Sequence, residues 1–170
     1  MSIWYAVYCP IQQEQKVLQI CKEHLSQDAL QDAFVFTYDR MRRYEGDWHL
    51  ERQRMFPGYV FLESTNLEQL NKEIEKVSYL KKILLGDGTL TSLQEREEMF
   101  LRRFCGEVHH FGMSRGYIRD GRTFVTEGPL RGQEQLIRKI DRHKRIARVS
   151  IPTVGCCREI QVGLEIMSKS

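Results

Sequence analysis

Apolar and polar positions follow one rule up to about residue 106 and another beyond it. In the first stretch, β-branched and aromatic runs alternate with helical spacings. Ile3 to Tyr8 (IWYAVY) predicts a strand that Pro10 ends. Val17, Cys21 and Leu25, with Leu18 beside them, predict a helix over Glu14 to Leu25. Phe34 to Tyr38 predicts a second strand, and Glu45-Gly46-Asp47 marks the turn of a polar hairpin over about 38–54. Arg54 to Leu62 returns to strand character past a Pro-Gly break. Leu67, Leu70, Ile74 and Val77 predict an amphipathic helix with Asn66 as its N-cap. Tyr79 to Leu85 predicts a strand closed by Gly86-Asp87-Gly88. Ser92-x-x-Glu95 predicts a capping box opening a helix to about Arg103. The order β-α-β-β-β-α-β-α implies an α+β sandwich with a mainly antiparallel sheet.

Glu107 to Ser114 lacks periodicity and reads as a linker. Beyond it only short strands are predicted, over Arg122–Thr126, Gln135–Ile140, Arg145–Ile151 and Arg158–Val162, separated by turn clusters. That spacing predicts a small all-β barrel. The expected division is thus 1–106, a linker at 107–114, and 115–170.

Charge sharpens this division. Residues 1–111 carry 14 Lys/Arg against 17 Asp/Glu, and residues 112–170 carry 12 against 6. The acidic and basic halves should meet different partners, the basic one being the nucleic-acid candidate. No apolar run approaches the ~20 residues that span a bilayer, and the N-terminal stretch does not read as a signal peptide. A cytoplasmic protein without membrane contact is expected. The cysteines at 9, 21, 105, 156 and 157 lack Cys-x-x-Cys spacing, so neither a disulfide framework nor a zinc site is expected. P-loop, dinucleotide, zincin and nucleophile-elbow motifs are missing. His109-His110 reads as a solvated loop pair. No catalytic residue, metal or cofactor is expected.

Two segments carry the functional signal. In Arg52 to Glu63 (RQRMFPGYVFLE), Phe56-Pro57-Gly58-Tyr59 joins the polar hairpin to an apolar strand. Together with Tyr5, Tyr8, Phe34, Phe36, Tyr38 and Phe61, it supplies more aromatics than one sheet face can bury. An exposed apolar patch for a protein partner follows. Arg131 to Arg148 holds seven Lys/Arg against two acids, with His143 at a hairpin tip. Cations at such a tip suit RNA phosphates and base edges.

RMFPGYVFLE, preceded by IWYAVYC and a helix, resembles the NGN domain of the NusG family. Gly128-Pro129-Leu130-Arg131-Gly132, followed by Ile137 and Ile140-Asp141, resembles a KOW motif. Within the family, TEGPLRG and IRKIDRHKRIARVSI are similar to the LoaP-type specialised antiterminators. The resemblance implies a monomeric elongation and antitermination factor that is not an enzyme. Its NGN patch would dock on the clamp helices of the largest RNA polymerase subunit. Phe56 and Tyr59 match the family's aromatic positions, Tyr8 and Phe61 are expected neighbours, and Ser64-Thr65 falls where relatives touch the opposite side of the cleft. LoaP-type proteins also imply a nascent RNA hairpin as ligand. Arg138, Lys139, Arg142, His143, Lys144, Arg145 and Arg148 are the residues expected to hold it. The arginines of the 38–54 hairpin add the non-template DNA strand as a candidate contact. Alternatives are a general NusG factor without RNA sequence preference, or a ribosome-associated KOW protein. Two departures stand out. Gln135 replaces the glycine usual near the end of the motif. Thr153-Val154-Gly155-Cys156-Cys157 lacks the aromatic with which general NusG proteins reach a ribosomal protein or a termination factor.

Overall fold

The computed structural model describes residues 1–84, 90–151 and 158–170, so the expected turn at 86–88 and the loop at 153–157 lie outside the described residues. In chain order the elements are β1 (Ile3–Tyr8), α1 (Glu14–His24), β2 (Asp32–Phe34), β3 (Thr37–Tyr44), β4 (Asp47–Arg54), β5 (Tyr59–Ser64), α2 (Leu67–Glu75), α3 (Ser78–Leu84), β6 (Thr91–Ser92), α4 (Glu95–Cys105), β7 (His110–Phe111), β8 (Ser114–Arg119), β9 (Arg122–Glu127), a single 3-10 turn (Glu134–Leu136), β10 (Ile137–Asp141), β11 (Ile146–Ile151) and β12 (Arg158–Lys169). They gather into two compact units. One comprises Met1–Val35 with Phe56–Glu98, the other Phe36–Met55 with Met99–Ser170.

The first unit is built on an antiparallel sheet ordered β2-β5-β1-β6. Pairing sets Val7 opposite Val60 and Tyr5 opposite Leu62, on the face that joins Val17, Cys21, Leu70, Ile74, Leu80 and Leu84 in one buried cluster. The alternate positions bring Tyr8 opposite Tyr59 and Ala6 opposite Phe61 on the other face. There Trp4, Phe34 and Phe61 are buried, in an edge contact between Trp4 and Phe34 and a stack between Phe34 and Phe61. Asn66 caps α2 as expected, its side chain accepting from Gln69 N at 3.1 Å.

Two expectations for this unit fail. Tyr79 to Leu85 is not a strand: Ser78–Leu84 is helical, and Leu80 and Leu84, four apart, are the buried pair. A short apolar run carries too little periodicity to separate helix from strand. Ser92 does not cap α4. It is paired with Tyr5 in β6, and Leu93 N donates to Trp4 O, so the helix starts only at Glu95.

The second unit contains two sheets. One is ordered β4-β3-β7 and the other β10-β11-β12-β8-β9. Glu45 and Gly46, both at positive φ, turn the β3–β4 hairpin as the type I′ geometry requires. The segment expected as a linker contributes β7, and Phe111 is fully buried. His109-His110 is not a solvated pair either. His110 Nδ1 meets Thr37 Oγ1 at 2.7 Å and its Nε2 meets Asp39 Oδ1 at 2.8 Å, while His109 packs edge-on against Phe36. In the larger sheet β9 and β10 are the two edges of the strand ladder, so closure into the expected barrel is not shown among the described residues. β8, which was not foreseen, pairs parallel with β12 and antiparallel with β9.

Candidate functional site

In the first unit the expected patch centres on the Phe56–Tyr59 turn. Tyr59 N donates to Phe56 O at 3.1 Å, with Pro57 at the second position and Gly58 at φ +82° in the third. This is type II chemistry, in which only glycine takes the third position without strain. The turn is tied down twice. Cys9 N donates to Gly58 O at 2.8 Å, and Gly58 N donates to Glu14 Oε2 at 2.9 Å. Glu14, at the start of α1, is a fully buried carboxylate.

Tyr8 is 63% exposed and packs edge-on against half-buried Tyr59, with ring centroids 5.5 Å apart. A side chain at position 58 would touch Tyr8 and Ile11, and Ile11 is 64% exposed. The open apolar surface is therefore Tyr8, Ile11 and Tyr59 around Gly58, with half-buried Phe56 beside it against Phe61. Phe61 is buried, as are Tyr5 and Phe34. Ser64 is buried too and donates to Ala29 O at 2.6 Å, while Thr65 is exposed. Ile11 and Glu14 were missed. A lone Ile after a proline and a Glu opening a helix carry no signal until the turn is placed over them.

In the second unit the basic hairpin joins β10 to β11. Asp141 Oδ1 accepts from Lys144 N at 3.0 Å and organises the tip. That backbone N–H, reinforced by the Lys144 charge, holds the Asp141 carboxyl below its usual value. Arg142, His143 and Lys144 are exposed together at the tip. Lys139 and Arg148 are exposed and directly paired across the strands. Arg138, also exposed, donates from Nε to Ser150 Oγ. A bulge between Ile137 and Lys139 breaks the alternation that would otherwise set Arg138 and Lys139 on opposite faces. Arg145 departs from the set. At φ +55° it turns back over the Trp48 ring, 3.8 Å from the centroid, and pairs with Glu165 at 3.0 Å. Glu165 also holds Arg115, at 3.2 Å. Six of the seven expected residues thus reach solvent.

Gly128 has φ +93°, and a Cβ there would collide with the Met113 carbonyl, so the Gly-Pro-Leu-Arg-Gly segment needs its first glycine. Gln135 sits within the 3-10 turn, which needs no positive φ at that position. Among the described residues no group of three or more His, Cys, Asp and Glu is placed to hold a metal ion. Among the described residues no helix is long and apolar enough to cross a membrane either. Cys9, Cys21 and Cys105 are buried thiols, and burial pushes those of Cys21 and Cys105 up to about 12.

The chain thus carries an α+β unit with an aromatic turn and a mostly β unit with a basic tip. The model of the family described as "Transcription termination factor nusG" matches residues 2–101. The chain belongs to the NusG family, whose members are transcription factors that bind RNA polymerase. Among solved structures it is similar to the one described as "Domain interaction in Thermotoga maritima NusG", at 18% identity and a TM-score of 0.48, covering 98% of this chain and 94% of that one. No curated protein matches it.

Proposed function

We propose that this chain is a processive antitermination factor of LoaP type and not an enzyme. It binds RNA polymerase through Tyr8, Phe56 and Tyr59, and a nascent RNA hairpin through Lys139, Arg142, His143, Lys144 and Arg148. The clamp helices of the largest subunit are the apolar partner, with exposed Thr65, and not buried Ser64, facing the opposite side of the cleft. The β3–β4 hairpin, with Arg42 and Arg43 exposed, supplies a contact for non-template DNA. The chain acts as a cytoplasmic monomer, its residues 1–106 serving as the NGN domain and 115–170 as the KOW domain.

The observation that carries this reading is the charge of the two units. The first holds 7 Lys/Arg against 12 Asp/Glu, and the second holds 19 against 11. Their net charges of −5 and +8 differ more than the two halves of the sequence do. Cations concentrated on one unit supply affinity for a polyanion, and an exposed aromatic cluster on the other suits a protein partner.

Gel-shift titration of a leader hairpin and a scrambled RNA at one salt concentration tests it. Arg142→Ala with Lys144→Ala should weaken hairpin binding about tenfold or more, with the salt slope falling by about 2 as two phosphate contacts are lost. Unchanged affinity would remove the tip from the account. Equal affinity of the wild-type chain for hairpin and scrambled RNA would make it a general elongation factor.

A further inference from the structure

β9 and β10, the two edges of the larger sheet, border a groove of about 470 Å³. Its walls are Arg122, Thr123 and Phe124 on one side and Ile137, Arg138, Lys139 and Ile140 on the other, with Glu134 and Gln135 at its end. The volume falls within the ~300–1,000 Å³ typical of small-ligand sites. Three cations line it against one carboxylate. That carboxylate is already engaged, since Glu134 Oε1 accepts from Gly132 N at 2.8 Å and from Val125 N at 3.4 Å.

The wall on β9 is an aromatic platform. Tyr117 and Phe124 are directly paired across β8 and β9, with rings stacked at 5.2 Å and 21°, and Phe124 is 39% exposed. Two rungs on, past Ile118 and Thr123, Arg119 stands opposite Arg122, both exposed. Like charges directly opposite each other destabilise a strand pair, and among the described residues neither guanidinium makes an ion pair. An anion between them relieves that repulsion. An apolar ring pair beside unpaired guanidiniums is the chemistry that holds an unpaired nucleotide, with its base on the ring and its phosphate on the cations.

We infer that the Tyr117–Phe124 platform and its groove bind one unpaired nucleotide of RNA, stacked on Phe124, with its phosphates on Arg122 and Lys139. This rests on the RNA-binding reading and extends it, because the platform lies outside the hairpin tip. Lys139 and Arg142 are three residues apart, about 10 Å of strand. One RNA can therefore lay its stem on the tip and a loop or bulged base in the groove. Charge favours RNA over a peptide strand as the occupant.

The test uses the full chain and two probes, a single-stranded oligouridine carrying bromouridine and a fully paired RNA duplex. Phe124→Ala should weaken binding of the single strand about tenfold, the usual loss of a base stack, and leave duplex binding and the salt slope unchanged. Phe124→Tyr should restore affinity. Arg122→Gln should lower the single-strand salt slope by about 0.7. Photocrosslinking should label Phe124 or Tyr117. Unchanged single-strand affinity in Phe124→Ala, with adducts confined to 141–145, overturns the inference and leaves the groove to a peptide strand. If binding then still depends on Arg142 and Lys144, the reading beneath it survives. A wild-type chain that binds neither probe overturns both.

Discussion

Glu14 shows how one buried carboxylate can shape a surface it does not reach. Its oxygen satisfies the amide of Gly58, the residue that turns Phe56 and Tyr59 outward. Glu14→Ala would leave that amide buried without this acceptor, at a cost of about 1–3 kcal/mol. Glu14→Gln keeps an acceptor oxygen and should retain most of the stability. Denaturant unfolding of both variants checks this, and equal losses would contradict it. At this scale the sequence was partly readable. The excess of aromatics over what one face can bury pointed to an exposed patch, and the family resemblance singled out Phe56 and Tyr59, with Tyr8 and Phe61 as neighbours. Phe61 could not be told apart from them, because the same excess is largely absorbed by the second sheet face, where Trp4, Phe34 and Phe61 lie. Arg145 was grouped with the tip cations by adjacency, but Trp48, far away in sequence, takes its guanidinium.

Elements with a full period or a strong turn were legible, and those with a mixed signal were not. α1 and α2 and the β3–β4 hairpin emerged within a residue or two of where alternation and turn residues set them. β8 stayed hidden because its inward positions are Ser114 and Gly116, not large apolar residues. A Cβ at 116 would strike the Phe124 backbone, so the close pairing itself removes the hydrophobic alternation. One tie between elements yields a pH prediction. After α1, Ser26 donates its backbone N–H and its hydroxyl to the Glu73 carboxylate of α2, both at 2.7 Å. The Ser26 backbone bond, with bonds from the Gln69 amide and the Ser26 hydroxyl, holds the Glu73 carboxyl below its ordinary 4.5. A lowered folded value means that the tie stabilises fully above that ordinary value and fades as pH falls through the lowered one. Glu73→Gln should therefore be less stable than wild type at neutral pH, and the deficit should shrink on acidification. Urea unfolding across that range reads it out, and a deficit independent of pH would contradict the assignment.

For the whole molecule, the two units differ sharply in charge, but the line between them is not where the chain order suggests. The hairpin at Phe36–Met55 interrupts the first unit in sequence and groups in space with the basic strands. Nothing in its local pattern announces this. The ties that hold it, His110 to Asp39 and Gln161 to the Tyr38 hydroxyl at 2.7 Å, span 71 and 123 residues. Membership of the NusG family makes the chain a transcription factor. The central claim is that polymerase and RNA are held by different units. Crosslinking with mass-spectrometric mapping on the full chain, bound at once to core polymerase and to a leader hairpin, tests it most directly. The account predicts polymerase links around Tyr8, Ile11 and Tyr59, and RNA adducts among Lys139, Arg142, Lys144 and Arg148. RNA adducts on the acidic unit, or polymerase links confined to the basic tip, would contradict it.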